Sequence, residues 1–330
     1  MADRCIMNVL LDVPPVGNPQ FFGQGNLLVQ IKDGGTDRLV QMSSDLTSIL
    51  NDVPITGTPS FFNSKRGDTR TFLHDGKIYC RRDAANTHDQ WYSIDIATGA
   101  YLSTVALPQF PINGDGDVFD ENEYIHYVSN ITNNIYKVKK SDFSIADSVD
   151  VGQILSADIQ LDAAIQYVPL WDNMGILCSN GFTDVIIYEY DYTTGLTGRS
   201  INLHTAFGSM GWNLTDDRHY SVTAEGQFIY VSNPNPAIAD TTVSASSARV
   251  NKTLNTMAGE IGVDLGSFDI WGSFSDGIDW YAVNAAAKYD SQLGPHVCKF
   301  DKDINLVASH DGAINGVLAS TYGLICKLWT

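Results

Sequence analysis

Six segments that read as short apolar β-strands recur along this sequence at a pitch of about fifty residues, and they predict an all-β fold, a β-propeller. Each segment follows a Gly or an Asn, and the steps between successive segments are 46, 53, 51, 51 and 46 residues. The residues that mark the six starts are Gly76, Asn122, Gly175, Gly226, Gly277 and Gly323. A repeat of roughly 40–50 residues with about four strands has the size of one propeller blade.

The composition agrees with a fold of many short strands and turns. The chain has 330 residues, of which 44% are hydrophobic and 18% are charged. This hydrophobic content supports a large core and argues against global disorder, while the low charge argues against a helical bundle. Because no linker or change of composition divides the chain, we expect an N-terminal extension over 1–20 and a single propeller domain over 21–330.

The clearest copy of the repeat is residues 122–152. Aromatic and β-branched residues predict strands over 124–128, 135–138 and 145–151. Asn, Thr, Ser and Asp between these segments predict two tight turns. The unit therefore reads as three strands of one blade, preceded by a short innermost strand.

The remaining strands follow from the same pattern. Similar third strands, each running through a tight turn into a weaker outer strand, occur at 91–107, 185–203 and 297–311. Innermost strands are predicted at 69–73, 118–119, 165–171, 219–223, 268–274 and 314–318. Residues 47–68 read as a long connector, and 234–266 as an elongated blade with a protruding loop.

The two ends of the chain resemble incomplete parts of one blade. The last marker, Gly323, is followed by a single strand, and a pair of strands with a DGG turn between them appears near 26–42. We expect these ends to close the ring, with inner strands from 314–329 and outer strands from 26–42. This arrangement gives six blades, and seven is the alternative if 1–20 or the long fifth segment supplies another.

The segment YIHYVSNITNNIYKVKKSDFSIADSVDVG resembles the YVTN-type propeller repeat, and FIYVSNPNP at 228–236 resembles its first half. The resemblance is good over about one blade and partial over the others. It implies the propeller fold. Proteins with such repeats include surface proteins, lactonases and quinone- or metal-dependent enzymes, and no residue here matches a catalytic set of any of them.

The charge of the chain limits its partners. A net charge of −18 repels phosphate backbones and anionic lipids, so we expect no binding to nucleic acid or to a membrane surface. No stretch approaches the ~18 apolar residues of a membrane-spanning helix, so membrane insertion is not expected either. The N-terminus lacks the basic start and apolar core of a signal peptide. We therefore expect release as part of a virion, with the cytoplasm as the alternative.

One acidic stretch predicts a metal site. Asn113, Asp115 and Asp117 place oxygen ligands at alternate positions, and Glu121 is a later ligand of the same set. Such oxygens suit Ca²⁺, so we predict a calcium site there. A turn between blades explains the same residues, since Asn, Gly and Asp favour turns.

No catalytic residues are predicted, because the sequence contains no GxSxG, Walker or GxGxxG motif. We expect a non-enzymatic binding or structural propeller. Its specific form is a bacteriophage tail or receptor-binding protein that contacts other virion proteins or a host surface glycan or protein, and that could form oligomers. The alternatives are a hydrolase or lactonase with a metal at the channel mouth, and an intracellular protein-interaction scaffold.

Overall fold

The computed structural model describes residues 27–33, 36–57, 71–81, 90–110, 118–121, 123–129, 132–152, 164–168, 173–179, 185–202, 221–225, 228–233, 246–251, 260–264, 270–275, 280–284, 297–301, 305–310 and 320–327. Over these ranges the protein is all-β, as predicted, and none of them contains a helix. Consequently, they include no helix that could cross a membrane.

The described strands form six sheets of four antiparallel strands, the arrangement of propeller blades. Sheet 1 contains β1 (Leu27–Asp33), β2 (Thr36–Met42) and β3 (Ile49–Pro54). Sheet 2 contains β4 (Thr71–His74), β5 (Lys77–Arg81), β6 (Gln90–Asp95) and β7 (Tyr101–Ala106). Sheet 3 contains β8 (Phe119–Asp120), β9 (Tyr124–Ser129), β10 (Asn134–Lys139) and β11 (Ile145–Asp150).

The second half of the chain repeats this pattern. Sheet 4 contains β12 (Ala164–Val168), β13 (Asn173–Ser179), β14 (Val185–Asp191) and β15 (Gly195–Asn202). Sheet 5 contains β16 (Ser221–Glu225), β17 (Phe228–Asn233), β18 (Ser246–Asn251) and β19 (Glu260–Asp264). Sheet 6 contains β20 (Ile270–Ser275), β21 (Trp280–Asn284), β22 (Val297–Phe300) and β23 (Leu306–His310). In sheet 3, the strands β9, β10 and β11 confirm the three strands predicted within 122–152.

Sheet 1 joins the two ends of the chain. Its innermost strand is β24 (Ser320–Lys327), which pairs antiparallel with β1 so that Leu27 lies opposite Lys327. The ends thus pair with each other, but the allotment of strands differs from the sequence interpretation. One strand comes from the C-terminal end and three from the N-terminal end, because β3 lies inside the segment read as a connector, 47–68. The inner strand predicted at 314–318 lies outside the described residues.

Neighbouring sheets contact each other through their inner strands. β4 contacts β8, β12 contacts both β8 and β9, and β16 contacts β12 and β20. β24 contacts β20 and β21, so sheet 1 also meets sheet 6. Contacts between each sheet and the next in the chain are those expected of successive blades. Ring closure and the number of blades in the whole chain stay predictions.

Strand alternation explains where the core sits. In β1, Leu27 and Val29 face sheet 6 and join a cluster with Tyr281, whereas Leu28 faces sheet 2 and joins a cluster with Ile78. Successive side chains of a strand point to opposite faces, so each sheet buries one set of residues against each neighbour. The core is therefore divided into layers between sheets.

The layer between sheets 2 and 3 is aromatic. Phe72 stacks on Tyr79 with ring centroids 4.6 Å apart, and Trp91 meets Phe110 edge-on at 5.3 Å. Phe110 in turn packs edge-on against Tyr127, whose hydroxyl donates a hydrogen bond to the carbonyl of Pro108. This geometry is the one that aromatic quadrupoles favour.

A glycine permits the close approach of sheets 1 and 2. Gly99 lies in the turn between β6 and β7 with a φ of +70°, and a Cβ built there would lie 2.1 Å from the carbonyl oxygen of Pro54. The neighbouring residues Thr56 and Ala100 form a parallel β-bridge between the two sheets. Gly99 is therefore required both by its positive φ and by its close contact with Pro54.

We predict that Trp91→Ala destabilises the protein by about 3–5 kcal/mol, because it empties a fully buried site in the aromatic layer. Denaturant unfolding followed by circular dichroism measures this loss. The exposed Ser148 of the outermost strand β11 provides the control, and Ser148→Ala is expected to change the free energy of unfolding by less than about 0.5 kcal/mol. Equal effects of the two substitutions would contradict the layered core.

Candidate functional site

The described residues include several charged side chains that are buried or half-buried, and two of them are adjacent at the end of β8. Asp120 and Glu121 follow Phe119 on the innermost strand of sheet 3. Asp120 turns toward sheet 2, where it bonds to Leu73, and Glu121 turns toward the layer shared with sheet 4. Since neighbouring residues of an extended chain point in opposite directions, one short segment reaches both interfaces.

Asp120 and Lys140 hold the free edge of β4. The backbone N–H of Leu73 donates to Asp120 Oδ2 at 2.9 Å, and Lys140 Nζ donates to the carbonyl oxygen of Leu73 at 2.9 Å. Asp120 and Lys140 also form an ion pair with each other. β4 is the edge strand of sheet 2, so these side chains replace the bonds that another strand would make.

The environment of this pair is largely dry. The Lys140 side chain is 3% exposed and that of Asp120 is 17% exposed. Burial raises the pKa of Asp120, and the charge of Lys140 together with the Leu73 N–H opposes that rise. Lys140 therefore depends on Asp120 for its only carboxylate partner among the described residues.

Glu121 lies between two cationic or hydrogen-bonding groups of the same sheet. His126 Nε2 approaches Glu121 Oε2 at 2.5 Å, and Lys137 Nζ lies 3.1 Å from the same oxygen. Lys137 also sits over the ring of Tyr124, 4.3 Å from its centroid. Burial alone would raise the pKa of Glu121, but the hydrogen bond from His126 and the charge of Lys137 hold it at about 2.

His126 continues this chain of bonds toward sheet 4. Its Nδ1 lies 2.7 Å from the hydroxyl of Tyr192, just beyond β14. Because the ionised Glu121 accepts hydrogen bonds only, Nε2 carries the proton, and Nδ1 accepts from Tyr192. Burial lowers the pKa of His126, with Lys137 and Lys140 adding to the effect and Glu121 opposing it, so the imidazole is neutral.

A third buried carboxylate belongs to sheet 4 alone. Glu189 on β14 is fully buried and accepts two N–H bonds from Arg199 as well as a hydroxyl bond from Thr197. It lies opposite a break in the β14–β15 register, where Tyr188 pairs with Ser200 and Tyr190 with Leu196. The carboxylate thus fixes the residues that bulge from the outer strand.

The hydrogen bonds and ion pairs of Asp120, Glu121 and Glu189 have a structural role, because they connect strands and sheets through charge-assisted hydrogen bonds. Over the ranges that the structure describes, no three His, Cys, Asp or Glu side chains come together in a group that could hold a metal ion. Of the predicted calcium ligands, Glu121 is the one that is described, and its Oε2 is bound by His126 and Lys137. Asn113, Asp115 and Asp117 lie outside the described residues, so the calcium site stays a prediction.

Sequence reasoning missed the structural use of Asp120, Lys140 and His126. Asp120 meets a backbone group 47 residues away, Lys140 one 67 residues away, and His126 a hydroxyl 66 residues away. The one local signal was a pair of acidic residues at the end of a short apolar strand, followed by His126 on the next. That signal indicates which side chains could be buried charged groups, but it does not indicate which residues they bond to.

Solved structures resemble this chain, while no protein-family model and no curated protein matches it. A Nidogen/Laminin complex superposes with a TM-score of 0.50 at 10% identity, over 91% of this chain and 97% of that chain. A protein of unknown function from Bacteroides caccae gives 0.49 at 12% identity, over 92% and 98% of the chains. Kuenenia stuttgartiensis hydrazine synthase gives 0.46 at 12% identity, over 92% and 81%.

At these identities the likeness concerns the fold alone. Together with the six four-stranded sheets, the likeness at TM-score 0.50 assigns the described part of the chain to the β-propeller class. The fold-level resemblance read from the repeat is therefore confirmed. Because propellers host unrelated functions, the class carries no activity to this protein.

We predict that Asp120→Ala destabilises the protein by about 3–5 kcal/mol, since it leaves Lys140 buried without a carboxylate. The double variant Asp120→Leu with Lys140→Met should recover part of this loss, because it removes both charges. Urea unfolding of the single and double variants measures the difference. A control is Lys77→Met at the exposed Asp75–Lys77 pair, which should leave the midpoint unchanged. Additive losses in the double variant would contradict the ion-pair role.

We predict that stability falls as pH drops below about 6.5, the ordinary pKa of histidine. The folded state lowers the pKa of His126, so the unfolded chain binds the proton first and gains free energy from it. Each unit by which the pKa is lowered makes at most about 1.4 kcal/mol available for loss. Glu121, with a pKa of about 2, stays ionised over this window.

Urea midpoints measured from about pH 8 to pH 5 test this expectation. His126→Gln should remove most of the decrease in the urea midpoint at low pH. His74→Gln should leave most of that decrease in place, because His74 is more exposed than His126 and burial therefore lowers its pKa less. A fall that survives His126→Gln unchanged would place the titrating group elsewhere.

Proposed function

We propose that this chain is a non-enzymatic propeller that acts as a binding or structural module. The observation that carries the proposal is the use of the buried charged groups. Asp120 and Lys140 are bonded to each other and to the backbone of Leu73, and Glu121 and His126 connect sheet 3 to sheet 4. Charged groups that are bonded to one another and to the backbone hold neighbouring sheets in position, which supports a structural role for them.

The charge of the chain favours partners of two kinds. With a net charge of −18, association is favoured with a protein surface that carries positive charge, or with a neutral glycan that needs no electrostatic steering. Nucleic acid and anionic membranes are disfavoured for the same reason.

The specific form of the proposal is a virion component of a bacteriophage, a tail or receptor-binding protein. It would contact other virion proteins or recognise a host surface glycan or protein, and its location would be the virion. The support is the combination of an all-β repeat fold, strands rich in Asn, Thr, Ser and Gly, and strong acidity. A propeller offers a stable frame whose loops and outer strands are free to carry recognition.

We predict that the protein is found in purified phage particles, or binds host cells or an immobilised host glycan. Density-gradient particles probed with an antibody to the purified protein test the first outcome, and labelled protein on host cells and on a glycan array tests the second. Heat-unfolded protein is the control for both binding measurements.

Absence from particles together with absence of binding would count against the proposal. Hydrolysis of a lactone or ester substrate that is lost on chelation of divalent metal would instead favour a propeller hydrolase. The two assays use the same purified chain, so a single preparation separates the binding module from the enzyme.

A further inference from the structure

All five exposed large hydrophobic side chains of the described residues occupy the same part of a blade. They are Leu50, Leu102, Ile145, Leu306 and Val307, which are 52%, 48%, 44%, 50% and 56% exposed. Each lies in the first two residues of the outermost strand of its sheet, β3, β7, β11 or β23. Four sheets contribute, and they are in contact in the order 6, 1, 2 and 3.

A β-bulge presents most of these residues. In every sheet the register shifts between the third and the outermost strand. Leu50 falls between Ile49 and Asn51, which oppose successive residues of β2, and Leu102 and Val307 fall in the equivalent gaps of their sheets. An unpaired bulge residue leaves the ladder and bends the strand.

The bulge geometry does not require an apolar residue. In sheet 4 the corresponding gap contains Thr197, Gly198 and Arg199, and the polar members bond to Glu189. The three-residue gap of sheet 4 thus contains polar residues, whereas the one-residue gaps of sheets 1, 2 and 6 contain the exposed apolar residues Leu50, Leu102 and Val307. These exposed residues occupy equivalent positions on sheets that contact one another in the order 6, 1 and 2.

The turn before each of these residues adds negative charge. Asp45, Asp95, Asp142 and Asp301 each accept a hydrogen bond from a backbone N–H of the turn that leads into the outermost strand. Hydrogen bonds from Ser43 and Thr47 lower the pKa of Asp45 to about 2, and turn hydroxyl groups likewise lower the pKa of Asp95 and Asp142. The carboxylates of Asp45, Asp95 and Asp142 are therefore ionised at neutral pH.

We propose that the outer rim of sheets 6, 1, 2 and 3, with its exposed apolar residues and its turn aspartates, is a docking surface for another protein that presents basic and apolar side chains. The proposal rests on the binding-module function given above. A second copy of this chain fits less well, because two chains of charge −18 repel each other. The bulges also interrupt the edge that strand-to-strand pairing between copies would need.

The probe that tests this surface is a synthetic peptide of about ten residues in which Lys and Leu alternate, compared with one in which Glu and Leu alternate. Fluorescence anisotropy at low salt measures both affinities. The wild-type protein should bind the Lys–Leu peptide at least about ten-fold more tightly than the Glu–Leu peptide. The triple variant Leu50→Thr, Leu102→Thr and Val307→Thr should lose about ten-fold of that affinity.

The matched control replaces two exposed polar residues of the outermost strands, Ser148→Ala and Ser309→Ala, and should bind like the wild type. Thermal unfolding checks that all variants fold, and Leu102→Thr alone replaces the triple variant if that variant does not. Equal binding of the two peptides, no binding, or binding that survives the substitutions overturns the proposal. A wild-type dimer abolished by the triple variant overturns it in favour of a second copy.

This experiment separates the rim from the virion assignment. If the chain is missing from particles and the peptide result holds, the virion form of the function fails and the docking surface stands. If the chain is present in particles and the peptide result fails, the docking surface fails and the virion form of the function stands.

Discussion

Burial of both faces of each sheet between its neighbours is the constraint on which the described structure depends. A blade that is apolar on both faces cannot bury those faces by itself, so Leu28 and Leu27, adjacent on one strand, have to be covered by different sheets. This is why the core consists of layers between sheets. It also explains why polar groups that enter a layer must arrive with their partners, as Glu121 does with His126 and Lys137.

Much of the fold could be predicted because blade strands carry local signals. The segment 124–138 alternates β-branched and aromatic residues around an Asn-rich turn, and that pattern alone fixes two strands and their hairpin. β3 gave no such signal. Its sequence ILNDVP ends in Pro, mixes polar residues into both phases and is largely half-buried or exposed, so it reads as a connector. Because β3 was not predicted, the predicted sheet 1 took two strands from each end of the chain instead of three from the N-terminal end and one from the C-terminal end.

The buried polar groups could not be predicted, for a different physical reason. Spacing in the sequence groups Glu121 with Asn113, Asp115 and Asp117 as a calcium site, because alternate oxygens suit calcium, and that site stays a prediction because the other three residues lie outside the described ranges. Its observed partners are His126 and Lys137 on the next two strands of the hairpin. Which carboxylate meets which cation is decided by strand register and by the packing of sheet on sheet. Neither is visible in a local motif.

The inner and outer parts of a blade are therefore under different demands. Near β8, a change at Asp120 disturbs Lys140 and the edge of β4 at once, so the chemistry of that region is constrained by three elements. At the outermost strands the register shift leaves one residue unpaired in sheets 1, 2 and 6 and three in sheet 4, and these residues include Leu102 in sheet 2 and Thr197 in sheet 4. Residue choice there is not determined by the fold. The exposed apolar residues Leu50, Leu102 and Val307 at that position of sheets 1, 2 and 6 are the ones that the proposed docking of another protein would cover.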